Sequence, residues 1–198
     1  MAAFHRKSSR AQNGRPLPRL WLFTDERVST QTLLASVARL PRGSGIIFRH
    51  YATTRDKRRK IFDAVRKIAL RRGLTLVVAR PGDTRLLREA DGIHRSGKDP
   101  CPSRITRSRL LTMSAHNARE IHRANRIGAD LIFLSPAFPT RSHKDAAALG
   151  AVRFATLARL AAMPVIALGG MNIGRFRRLR FNGAYGWAAI DALTASHS

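Results

Sequence analysis

Asp25, Arg49, Arg80, His94, Asp99, Ser114, His116, Thr140, Ser142, Lys144, Gly169, Gly170, Ile190 and Asp191 share one property: each stands at or just beyond the end of a short apolar run. Arginine, lysine and hydroxyl side chains bind oxyanions through charge and hydrogen bonds. Adjacent glycines such as Gly169-Gly170 let backbone N–H groups approach a phosphate. Histidine titrates near neutrality, so His116 is a candidate for moving protons. The set is polar, and the chemistry that its Arg, Lys, hydroxyl and glycine members favour is recognition of a phosphorylated small molecule.

These residues need elements to bring them together. The apolar runs are Leu20 to Thr24, Ile46 to Arg49, Leu74 to Ala79, Gly92 to His94, Leu110 to Ser114, Leu131 to Leu134, Val165 to Leu168 and Tyr185 to Ile190. Their shortness and β-branched content predict strands buried on both faces. Segments with helical spacing lie between most of them. In Arg55 to Arg71, Ile61, Val65, Ile68 and Ala69 recur on one face while Arg and Lys fill the other. An internal echo, Ala90-Asp91-Gly92, Gly128-Ala129-Asp130 and Gly183-Ala184-Tyr185, leads from a helix end into a strand each time. Strand and helix alternating along the whole chain predict an α/β fold, a compact (β/α)8 TIM barrel with shortened helices at Asp83 to Glu89 and Asp191 to Ser198. Such a barrel carries its active site at the C-terminal ends of the strands, which is where the residues above fall. Residues 19–194 are expected to form this single domain, with a basic flexible tail at 1–18 and a short one at 195–198.

Composition narrows the class further. The chain of 198 residues carries 37 Lys+Arg against 12 Asp+Glu, a formal charge of +25, yet 44% of it is hydrophobic, enough for a packed core. No apolar run approaches the ~18 residues of a membrane span. The single cysteine, Cys101, has no intrachain partner, which fits a reducing, cytoplasmic setting. Residues through Arg19 lack the apolar stretch of a secretory signal. Of the basic residues, 31 are arginines spread along the chain rather than gathered in one block, and no nucleic-acid motif accompanies them. Nucleic acid is therefore not the expected partner, although a barrel retained for non-catalytic binding of phosphate ligands or nucleic acid is an alternative, marked by steep salt dependence.

Four stretches resemble one family. Ala90-Asp91-Gly92-Ile93-His94 followed by Asp99, Ser114-Ala115-His116, Gly128-Ala129-Asp130-Leu131 running into Ser135-Pro136-Ala137-Phe138-Pro139-Thr140, and Val165 to Asn172 are similar, in order and spacing, to segments of the thiamine phosphate synthase superfamily, which includes thiazole tautomerases. The resemblance spans residues 20 to 193. It implies an enzyme of thiamine biosynthesis joining a hydroxymethylpyrimidine pyrophosphate to a thiazole phosphate, with magnesium on the departing pyrophosphate. By that likeness Arg49 holds pyrophosphate, Asp99 binds magnesium, Ser114 contacts pyrophosphate, and Thr140 and Ser142 are hydroxyls around the substrates. Gly170 and Ile190 would give backbone donors to the thiazole phosphate.

The chain also departs from the family. Where the pattern reads Q-x-R-x-K, this sequence has Ile47-Phe48-Arg49-His50-Tyr51, and where it has Asn-Asp-Arg, this one has Ala79-Arg80-Pro81. His143 takes a lysine position, with Lys144 adjacent, and Asp191 takes a serine position. A magnesium ligand has thus become a cation, and Arg80 is expected to replace part of the metal by binding an anionic group. His116 supports an alternative, a thiazole phosphate tautomerase that moves a proton without metal. Its other reading is a cap on the helix that begins near Asn117. His94 reads as structural, and His50 is open either way.

Overall fold

The structure, a computed structural model, describes residues 16–80, 82–97, 99, 109–140 and 147–194. Eight parallel strands close on themselves: β1 (Leu20–Phe23), β2 (Gly45–Phe48), β3 (Thr75–Ala79), β4 (Gly92–Arg95), β5 (Leu110–Ala115), β6 (Leu131–Leu134), β7 (Val165–Ala167) and β8 (Gly186–Ala189). β8 pairs back onto β1 with Leu20 opposite Trp187, so the sheet has no open edge. The (β/α)8 barrel read from the sequence is present, with each strand within two residues of its expected bounds.

The helices among the described residues are α1 (Thr30–Arg39), α2 (Arg55–Arg72), α3 (Thr84–Glu89), α4 (Ala118–Ile127), α5 (Gly150–Arg159), α6 (Ile173–Leu179) and α7 (Asp191–Thr194). Their starts follow from short polar caps. Ser29 Oγ accepts from Thr32 N, Asp83 Oδ1 from Arg85 N, Asn117 Oδ1 from Glu120 N and Asn172 Oδ1 from Arg175 N. On α2, Ile61, Phe62, Val65 and Ala69 are buried, the stripe expected from its period together with Phe62, while Ile68 lies at its margin. Arg71, Arg119, Arg126, Arg177 and Arg178 are exposed on outer helices, so part of the +25 charge is solvated surface.

Side chains alternate between two environments. Trp21, Phe23, Ile47, Val77, Ala79, Leu110, Leu131, Phe133, Ile166 and Ala188 fill the barrel interior, while Leu22, Ile46, Phe48, Leu76 and Val78 face α1 and α2. Gly45 makes room for this interior, since a Cβ there would sit 2.2 Å from the Trp21 ring. Leu17 is buried beneath these residues and its carbonyl accepts from Tyr185 Oη at 2.8 Å; Pro18 O accepts from Trp21 Nε1 at 2.8 Å. This stretch therefore packs against the barrel floor.

The internal echo has a structural reason. Asp91 Oδ2 accepts from Leu76 N and Asp130 Oδ2 from Leu111 N, both at 2.8 Å, so each aspartate pins the start of the preceding strand. Burial raises the Asp130 pKa, opposed by that Leu111 hydrogen bond. In the third copy Tyr185 replaces the aspartate and bonds Leu17 instead. Gly128 and Gly183 take the left-handed turn after a helix, whereas Gly92 does not and belongs to β4.

Candidate active site

At the C-terminal end of the barrel a cavity of about 430 Å³ opens over Phe23 and His94. It brings together Arg49, Arg80, Ser114, His116, Thr140, Gly169, Gly170 and Ile190 from the sequence-derived set. Asp191 lines it as well. Ser142, His143, Lys144 and Cys101 lie outside the described residues.

One end of the cavity is cationic. Arg49 follows β2, and its position is set from three sides. Its backbone N–H donates to Thr24 Oγ1 at 2.9 Å, its Nε to Thr24 O at 2.7 Å, and its Nη2 lies 3.4 Å from Asp25 Oδ2. Asp25 is held chiefly by Arg27, whose hydrogen bonds bring its pKa down to about 2, with Arg49 contributing less. Thr24 Oγ1, already accepting from Arg49, meets His50 Nδ1 at 3.0 Å. The His50 ring stacks on Phe48 at 4.8 Å, and burial lowers its pKa. His50 is thus a packed neutral ring and not part of the cavity lining. Arg80 follows β3 and stands 5.2 Å over the Tyr51 ring.

The middle of the cavity holds two histidines of opposite character. His94 is buried, with Nδ1 2.9 Å from Thr112 Oγ1 and Nε2 3.0 Å from Ser114 Oγ. Phe23 and Phe133 meet its ring edge-on at 5.5 and 5.4 Å. Desolvation first, and the charge of Arg49 second, bring its pKa down to about 3, so the ring is neutral. Thr112 Oγ1 also bonds Ile93 O at 3.5 Å. The neutral ring donates from one of these nitrogens and accepts at the other, so it holds the Ser114 hydroxyl in place at the cavity wall. His94 therefore orients Ser114. His116, by contrast, is half exposed, and its Nδ1 lies 2.8 Å from Oε2 of the buried Glu120. Its backbone N–H donates to the same oxygen at 2.9 Å. The carboxylate fixes the ring with Nδ1 as donor and leaves Nε2 as proton acceptor. The helix cap is Asn117, so the capping reading of His116 is replaced by this pairing.

The opposite end is built from backbone. Gly169 and Gly170 have φ of 90° and 61°, and a Cβ on Gly170 would meet Pro139 O at 2.4 Å. Only glycine fits this approach to the loop that follows β6. Ile190, Asp191 and Ala192 turn into α7 beside it. Arg175 on α6 reaches back to donate to Gly170 O and stands 5.1 Å over Phe138. Sequence reading missed Arg175, because it lies inside a helix and not behind an apolar run. The Gly-Gly-x-Asn pattern, in which Asn172 starts α6 and brings Arg175 around, was the signal available.

Asp99 does not line the cavity. Its Oδ2 accepts from Ser96 N at 2.8 Å, closing a turn with the 3.1 Å bond from Asp99 N to Ser96 O. Among the described residues no group of three or more His, Cys, Asp or Glu comes together as metal ligands, and Arg80 brings a cation to the cavity lining. These donors do not fit a magnesium ion held by paired carboxylates.

The chain matches the thiamine monophosphate synthase family over residues 20–193. It belongs to that family. It is 32% identical to the thiamine-phosphate synthase of Chloroflexus aurantiacus over 151 residues, 74% of this chain and 69% of that protein. Against the thiamine-phosphate synthase of Desulfitobacterium hafniense (strain Y51) identity is 27% over 183 residues, 88% of each chain. Among solved structures, thiamine phosphate pyrophosphorylase from Pyrococcus furiosus superposes with a TM-score of 0.74 at 22% identity, covering 91% of this chain and 89% of that one, a likeness of fold. The family assignment makes this a thiamine phosphate synthase-like enzyme, of a transferase family. No helix among the described residues is long and apolar enough to cross a membrane.

Proposed function

We propose that the cavity couples a hydroxymethylpyrimidine pyrophosphate to a thiazole phosphate. The observation that carries this reading is the pairing of two different anion-binding ends in one cavity, arginines and Ser114 at one and the Gly169–Gly170 turn at the other. A two-substrate condensation needs both. The thiazole nitrogen attacks the pyrimidine methylene while the bond from that carbon to the pyrophosphate oxygen breaks, and the electron pair leaves with pyrophosphate. Arg49, Arg80 and Ser114 meet the charge that develops there. Backbone donors at Gly170 and Ile190, with Arg175 nearby, hold the thiazole phosphate.

In this reading Arg80 takes over from a metal-binding carboxylate, and the reaction rate is insensitive to chelators. The test supplies both substrates and follows thiamine phosphate. Formation of product at equal rates with added magnesium and with EDTA is expected; absence of product under both conditions rejects the condensation.

The His116–Glu120 pair favours a second reading, proton transfer on a thiazole phosphate. That reaction uses one anion end only. His116→Gln would then abolish tautomer interconversion, followed by exchange of the ring proton with deuterium, while phosphate affinity stays. Under the first reading the same substitution leaves condensation in place.

A further inference from the structure

Two residues in the described chain, other than glycines, have left-handed backbone: His50 at φ 49° and Arg80 at φ 45°. His50 is the second residue after β2 and Arg80 the first after β3, and each turn carries a cation of the cavity, Arg49 in the first case and Arg80 itself in the second. An L-residue in this region costs roughly 1–2 kcal/mol, so surrounding contacts must hold it there.

The same side chain reaches both turns. Arg58, in the first turn of α2, donates from Nε to Arg49 O at 3.2 Å and from Nη2 to Ala79 O at 2.8 Å. The first carbonyl belongs to the peptide that joins Arg49 to His50, the second to the peptide that joins Ala79 to Arg80. One planar fork thereby sets the orientation of the peptide entering each left-handed residue. Its guanidinium also lies 5.7 Å from the Phe48 ring, on which the His50 ring stacks. Arg58 forms no ion pair with a carboxylate among the described residues, so its partners in the structure are these two carbonyls and that ring. Because α2 is the crossover between β2 and β3, Arg58 ties the end of the first strand to the end of the second.

We propose that Arg58 is a positioning residue for anion binding: it locks the two turns that aim Arg49 and Arg80 at the cavity, without contacting the ligand itself. This rests on reading Arg49 and Arg80 as the anion-binding end. A lysine in its place keeps the charge but not the fork, since a single ammonium lacks the rigid planar geometry that spans two carbonyls.

The experiment is calorimetric titration of the full chain with inorganic pyrophosphate at fixed ionic strength, together with thermal unfolding. Arg49→Ala and Arg80→Ala establish the end being measured. Arg58→Met is expected to weaken pyrophosphate binding about 10-fold at a temperature well below unfolding, with Arg58→Lys recovering part of the loss. In an Arg49→Ala/Arg80→Ala background, Arg58→Met is expected to bring no further loss, the non-additivity of a residue that acts through others. Should Arg58→Met fail to fold, Arg58→Lys provides the same comparison in both backgrounds. Unchanged affinity in the Arg58 variants, with clear loss in Arg49→Ala, overturns the positioning alone. An additive loss in the combined background overturns it too, because Arg58 would then touch the anion. No loss in either alanine variant overturns the anion-binding end, and the positioning with it.

Discussion

The two ends of the cavity solve one problem, holding an oxyanion, with different materials. At the Gly169–Gly170 end the donors are backbone atoms, fixed by the packing of β7 against the loop after β6, where Phe138 N bonds Gly169 O at 3.1 Å and Ala137 N bonds Leu168 O at 2.8 Å. At the Arg49–Arg80 end the donors are long side chains launched from two strained turns, each restrained by bonds from residues distant in sequence. Backbone donors cannot be altered without moving the chain, whereas side chains can be exchanged one at a time. Of the departures from the pattern that the chain resembles, Tyr51, Ala79 and Arg80 stand at the side-chain end and Asp191 beside the glycine turn, whose two glycines are kept.

If that contrast holds, the glycine end should break abruptly. Gly170→Ala places a Cβ against a backbone carbonyl at φ 61°, where nothing flexible can give way. The left-handed penalty and the overlap together are expected to cost about 3 kcal/mol of folding stability and to abolish thiazole phosphate binding. Urea unfolding and calorimetry measure the two. A stable, binding-competent variant would show that the turn is adaptable and remove the distinction.

The arginine end should instead fail by degrees and in affinity. Arg49→Ala leaves Asp25 with its main partner Arg27 in place, so stability is largely kept. Pyrophosphate affinity is expected to fall by about 2 kcal/mol, roughly 30-fold, the scale of a charge-assisted hydrogen bond. Phosphate binding at the glycine end should not change, and parallel losses at both ends would refute their independence.

What the sequence disclosed divides along the same line. Strand ends were legible because a buried strand must be apolar on both faces, so the first polar residue after Gly45–Phe48 or Leu131–Leu134 marks the mouth. The glycine turn was legible for the same reason, and because its backbone requirement leaves a residue-type signature. The network around Arg49 was not. Thr24, His50 and Arg58 meet through contacts separated by 26 and 9 positions, and neither residue type nor period indicates which of the 31 arginines turns inward. Asp99 shows the converse, a motif residue whose carboxylate closes a local turn. Glu120 lay in plain view four residues from His116, and only the start of α4 at Asn117 folds the two together.

His94 lies between the two ends and tests how dry the floor is. Its pKa, down at about 3, means that the folded ring stays neutral where the unfolded chain binds a proton. Below the ordinary histidine value of ~6.5 the unfolded state holds more protons, so stability falls as pH drops from there toward the folded value. At pH 5 the loss is about 2 kcal/mol. Asp25, depressed to about 2, acts in the same direction but only below the ordinary carboxylate range, so the two windows separate. His94→Gln should flatten the denaturation profile between pH 6.5 and 4.5, a range set by ~2 units below the free histidine value. A slope that persists in this variant would place the titrating group elsewhere.

The smallest effect is the most discriminating, because its two readouts should move in opposite directions. Arg80 is exposed and has left-handed backbone, so Arg80→Gly relieves strain and is expected to raise stability by about 0.5–1 kcal/mol, less some backbone entropy. The same substitution removes a cation from the cavity and should weaken pyrophosphate binding several-fold. Arg80→Ala removes the cation without relieving the strain, so it should match glycine in affinity and fall below it in stability. If glycine and alanine are equally stable, the turn at Arg80 is not strained, and the anion-binding end is as relaxed as the glycine end opposite. If glycine is more stable while binding less, the chain keeps an unfavourable turn because it aims a charge.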